Sequence, residues 1–152
     1  MSATSRSRPT GATVLAVLLA VLSLAAFQNA FVWRSLGDLS GGQLPRELVA
    51  FIEAAKQPLF TALALAYSAT AVVAAVGVWF VRSWMVAAFS AWAAVLLVLL
   101  LWMWQHFPID LFQIVGGRVY FGAMMVVTVA LVLFCWIYLR RVAAGRHVAN
   151  AL

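Results

Sequence analysis

His106 is the residue of this chain best suited to chemistry. It ends an apolar run just after Trp102 and Trp104 and stands four residues before Asp110. An imidazole at a membrane interface could ligate haem or another metal, or titrate as a switch. A ligand needs partners, and the sequence offers few. Asp110 and Met103 are close by, and the one other histidine, His147, falls on the opposite membrane face once the spans are laid out. Haem binding through His106 is therefore a lesser alternative. No cofactor and no metal site is expected, and His106 reads as an interfacial side chain.

Other reactive groups are sparse. Cys135 is the only cysteine, which excludes an intramolecular disulfide and a cysteine-only zinc site. It sits between Phe134 and Trp136, where a thiol behaves as a small apolar group. No phosphate-binding glycine loop, nucleophile–base pair or pair of acids within a span is present, so the chain is not expected to be an enzyme. The central part of every apolar run also lacks Asp, Glu, Lys, Arg and His. Ionisable groups at that depth mark proton relays and ion paths, so their absence argues against a proton-coupled pump. Mild polar groups remain. Gln28, Asn29, Tyr67 and Ser90 are the candidates for lining a polar cavity, whereas Ser68, Thr70 and Thr128 suit interhelical packing.

The elements that must carry these residues follow from composition. Of 152 residues, 66% are hydrophobic and 9% are charged. Soluble domains carry about a quarter charged residues, and a fold of this size cannot hide so much apolar surface. The bilayer must be the solvent. Ten basic and four acidic residues give a net charge of +6. The basic residues stand at the ends of apolar runs, so they indicate orientation and contact with anionic lipid; nucleic acid is not an expected partner. Nine of the ten are Arg, and with abundant Ala and Val this bias fits a bacterial source.

Two runs, 59–81 and 84–104, each hold about the twenty residues that cross ~30 Å of hydrocarbon. Only Val81, Arg82, Ser83 and Trp84 connect them, so they form an antiparallel hairpin with Arg82 at its tip. A first span covers 13–33 and a fourth 119–139. The first is read as a retained helix and not a signal peptide, because the apolar run continues past Ser23-Leu24-Ala25 to Trp33. Arg140 and Arg141 are expected to stop the fourth. The expected fold is an all-α membrane protein, a bundle of four transmembrane helices forming one domain over 13–141. A disordered tail (1–12) and a basic tail (142–152) flank it.

Between the first two spans, Gly37, Ser40, Gly41 and Gly42 read as a loop. Residues 45–57 read as a short interfacial amphipathic helix, with Leu48, Phe51, Ile52 and Ala55 on one apolar face. That face either positions the second span or docks another protein. Residues 105–117 are too apolar for a solvated loop and are expected to hug the interface or dip into it.

Small residues recur at four-residue spacing. Ala62, Ala66, Thr70 and Ala74, with Gly77, make one stripe on the second span, and Ala87 and Ala91 answer it on the third. Such spacing lets helix backbones approach. The hairpin is expected to close along these faces. A second stripe, Ala64, Ser68, Ala71 and Ala75, is then left for another span or another protein.

Orientation follows from basic residues. Arg6, Arg8, Arg82, Arg140, Arg141 and Arg146 collect on one face, against Arg34, Arg46, Lys56 and Arg118 on the other. The excess places both termini in the cytoplasm of a bacterial inner membrane. Arg82, Arg140 and Arg141 are the expected membrane anchors. The expected function is a non-enzymatic accessory, assembly or scaffold subunit of a larger membrane complex, with lipids and other membrane subunits or copies of itself as partners. The alternatives are a small homo-oligomeric channel or carrier for a neutral or hydrophobic solute, and a redox subunit using His106.

Overall fold

The computed structural model describes residues 9–39, 46–106 and 117–150. They form five helices: α1 (Thr10–Leu39), α2 (Arg46–Lys56), α3 (Pro58–Trp79), α4 (Met85–His106) and α5 (Gly117–Asn150). Four are long and apolar enough to cross a membrane, over Thr10–Gln28, Pro58–Trp79, Met85–His106 and Phe121–Ala144. The chain is an all-α, four-span membrane bundle with a short extra helix after the first span. Of the expected disordered tail over 1–12, residues 1–8 lie outside the described residues and Thr10–Ala12 already belong to α1; of the expected interfacial segment over 105–117, residues 107–116 lie outside them, and its ends belong to α4 and α5.

The helices outrun the apolar segments. α1 continues through Arg34 and Gly37 to Leu39, and α5 does not stop at Arg140 and Arg141 but runs on to Asn150. Arginine is a good helix former, and a charge that has left the hydrocarbon costs a helix nothing. Apolar length measures the membrane-crossing part of a helix and not its end. The 34 residues of α5 would extend about 51 Å, well beyond a ~30 Å core.

α3 lies at the centre, with α1 on one side and α4 on the other; α5 lies against α4, and α2 rests on α1 and α3. Pro58 starts α3 at a first-turn position where no backbone N–H is needed, preceded by an extended Gln57. α3 ends in a full Schellman turn: Val81 N–H donates to Val78 O (3.1 Å) and Arg82 N–H to Gly77 O (3.0 Å). The left-handed position is held by Val81 (φ 47°), where glycine is the ordinary choice. Val81 is almost fully buried, in one cluster with Met85, Phe89 and Leu139.

The hairpin closes large-into-small. α4 contributes Met85, Phe89 and Trp92, and α3 contributes Ala71, Ala74, Ala75 and Val78 to the same core. α1 adds Ala12, Ala16 and Leu19. The stripe Ala64, Ser68, Ala71 and Ala75 is therefore buried within this chain and not left free. At the opposite end of the bundle, α2 turns Phe51 and Ala55 onto Phe60 and Trp102, forming a small second core.

Candidate functional site

The interior between α1, α3, α4 and α5 is not filled by side chains. A cavity of about 440 Å³ lies there, walled by Leu15, Leu22, Leu96 and Leu131, with Tyr67 and Trp92 among its lining. A neighbouring space of about 310 Å³ runs from Tyr67 towards Phe51 and Phe60, beneath α2. Both are large enough for a small apolar ligand. Tyr67 and Trp92 pack at a ring separation of 5.8 Å, and Phe89 backs Trp92 at 5.1 Å.

This opening exists because α5 is weakly docked. Only 6% of its spanning window is buried, against 39% for α3. α5 meets α4 at both ends, through Trp104 and Phe121 (5.8 Å) and through Trp136 and Ser90. In its C-terminal half it also packs on α1, where Tyr138 fills the space beside Gly11.

A separate cleft of about 230 Å³ lies between α4 and α5, lined by Ser90, Leu97, Leu100, Thr128, Val132 and Trp136. Trp136 Nε1–H donates to Ser90 Oγ (3.1 Å), and Ser90 in turn donates to Val86 O (2.8 Å). The Arg140 guanidinium stands 4.7 Å above the Trp136 ring.

The expected polar cavity does not assemble. Gln28 is exposed on α1, Tyr67 is buried in the interior, and Ser90 faces the α4–α5 cleft. The Asn29 side chain lies outside the described residues. Tyr67 and Ser90 line separate cavities, and Gln28 is on neither lining.

The expected packing stripe divides. Ala74 and Gly77 are buried, Ala66 and Thr70 are half-buried, and Ala62, Ala87 and Ala91 face outward. Thr70 satisfies its hydroxyl on its own helix, donating to Ala66 O (2.7 Å). On α2, Phe51 and Ile52 are buried and Leu48 lies outside the described side chains. Phe51 thus covers the chain's own bundle, which leaves it nothing to offer another protein. Arg82, Arg140 and Arg141 are all exposed.

His106 is exposed, stacked on Trp102 at 4.4 Å and 14°, and its Nδ1 lies 2.9 Å from Trp102 O. The described residues contain no cluster of three metal-ligating side chains. Beneath it, the buried Trp102 Nε1 finds no hydrogen-bond partner among the described residues.

Two relationships had little sequence signal. Ser23 joins Ser68 across α1 and α3, and Trp136 joins Ser90 across α4 and α5. Ser68 stood in a small-residue stripe, but nothing in the sequence singled out Ser23 as its partner. Comparison with family models, curated proteins and solved structures finds no match to this chain.

Proposed function

We propose that this chain is a non-enzymatic accessory subunit that packs against another membrane protein through the outward face of α4. The observation that carries this reading is the exposure of Ala87, Ala91 and Ala94, one small-residue stripe that no helix of the described chain covers. Lipid tails are as apolar as leucine, so small residues gain nothing by facing lipid; they favour helices that approach closely. The excess of basic residues on the face that carries the termini supports a reading with both termini in the cytoplasm. The test compares native membranes carrying the unmodified chain or Ala91→Trp, extracted in mild detergent. A stoichiometric complex that disappears in Ala91→Trp, with the variant still folded, supports the reading. A chain that migrates alone in both samples ends it.

A second reading, a carrier for a hydrophobic solute, is favoured by the interior cavity beside Tyr67. Its test is flux of an apolar dye across liposomes. Filling the cavity with Leu22→Phe should slow that flux; a rate equal to protein-free liposomes in the unmodified chain rejects it.

A further inference from the structure

The α4–α5 cleft combines a hydrocarbon-lined slot with a cation at its mouth. Thr128 marks its deep end and Trp136 its shallow end, and Arg140 follows one turn later on the same helix. From Thr128 to Arg140 is about 18 Å of helix rise, close to the ~15 Å thickness of one hydrocarbon leaflet. The slot therefore runs the depth of a single leaflet and ends where lipid phosphates lie.

The walls specify the occupant further. Both hydroxyls in the slot are already engaged: Thr128 donates to Met124 O (2.8 Å), and Ser90 accepts from Trp136 and donates to Val86 O. They leave little demand for a polar guest. An apolar slot that runs along one leaflet suits an acyl chain, which lies in the same direction. At the mouth, Arg140 has no carboxylate within ion-pair distance among the described residues, and its guanidinium is held over Trp136. Its N–H groups remain available to a phosphate, the anion that a guanidinium recognises best.

We propose that the α4–α5 cleft is a binding site for an anionic phospholipid, with one acyl chain between Leu97, Leu100 and Val132 and the phosphate on Arg140. The site is independent of the α4 face assigned to a partner subunit, so either can fail without the other.

The experiment is native mass spectrometry of the purified full chain, loaded with phosphatidylglycerol or phosphatidylcholine of identical acyl chains. One basic residue near a membrane surface contributes ~1 kcal/mol, so phosphatidylglycerol should be retained about fivefold over phosphatidylcholine. Arg140→Gln should abolish that ratio, and Arg141→Gln, displaced about 100° around the helix, should keep it. Ala93→Phe on α4 and Val129→Phe on α5 fill the cleft from opposite walls and should each lower retention of both lipids. Two fillers, each checked by its thermal melt, keep the result from resting on one variant's folding. Equal retention of the two lipids by the unmodified chain overturns the proposal. So does an equal loss in Arg140→Gln and Arg141→Gln, which would mean diffuse surface charge, or full retention in both folded fillers.

Discussion

Ser23 and Ser68 hydrogen-bond each other reciprocally across α1 and α3. Ser23 Oγ donates to Ser68 O (3.0 Å), Ser68 Oγ donates to Ser23 O (3.1 Å), and the hydroxyl oxygens are 3.0 Å apart. Each short side chain reaches the other helix's backbone, so the two backbones cross closely here. Bulk is excluded at both positions. Single Ser→Ala changes should each cost about 0.6 kcal/mol, the average for membrane hydrogen bonds, and should add in the double variant because each hydroxyl bonds the other helix's backbone. Ser68→Leu should cost several times more by forcing α1 away. Unfolding in a detergent titration measures both. A Ser68→Leu protein as stable as Ser68→Ala would mean that α1 does not cross at this point.

The crossing also shows what the sequence could and could not convey. Spans, their antiparallel order and the amphipathic α2 were legible, because length, short connections and 3.6-residue periodicity are local properties. Which face of a span is buried was not. The stripe from Ala62 and the stripe from Ala64 have nearly the same composition, and a lipid-facing surface is as apolar as a core. Only the position of α1 decides that Ala64, Ser68 and Ala71 are inside and Ala62 is outside. The open interior was illegible for the same reason, since weak docking of α5 leaves no mark on its hydropathy. The scattering of Gln28, Tyr67 and Ser90 then follows from helix placement.

Val81 gives a second prediction. A β-branched residue in the left-handed region carries on the order of 1–3 kcal/mol of strain, and at Val81 it is tolerated because the side chain is buried in the core. Val81→Ala loses the packing and keeps most of the strain. Val81→Gly loses the packing and releases the strain. Val81→Gly should therefore be at least as stable as Val81→Ala. At Val78, inside the helix, the order should reverse, with glycine about 1 kcal/mol worse than alanine. Thermal unfolding of the four variants checks the pair; glycine worse at both sites would mean that Val81 is not left-handed in solution.

Gly77 faces the Trp84 ring across the same turn. A Cβ on Gly77 would stand 2.6 Å from Trp84 Cζ3, so the indole must move. Trp84 is partly exposed and can swing away, at the loss of its packing on α3. Gly77→Ala should destabilise by about 1 kcal/mol, set by that lost contact and partly offset by better helix propensity. In a Trp84→Ala background the same change should become neutral or stabilising, because only the propensity gain remains. Additive losses in the two backgrounds would show that Trp84 does not rest on Gly77.

The last prediction concerns the motion that the open interior permits. α5 is tied to both neighbours in its C-terminal half, the inner end of the proposed orientation, where Leu139 joins the core with Ala12 and Tyr138 packs beside Gly11. Towards its N-terminal end it packs on α4 through Trp104 and Phe121. A helix fastened at one end and otherwise little buried, with 6% of its spanning window covered, should swing about the fastened end. Spin labels placed in a Cys135→Ala protein can read this. A pair at Val14 and Ile137, both exposed near the inner end, should give a narrow distance distribution. A pair at Leu24 and Met124, exposed in the outer half, should give a broader one. Trp104→Ala should broaden the outer pair further and leave the inner pair unchanged. Equal widths at both ends would mean that α5 is held along its whole length, and the 440 Å³ cavity beside Tyr67 would then have a fixed shape.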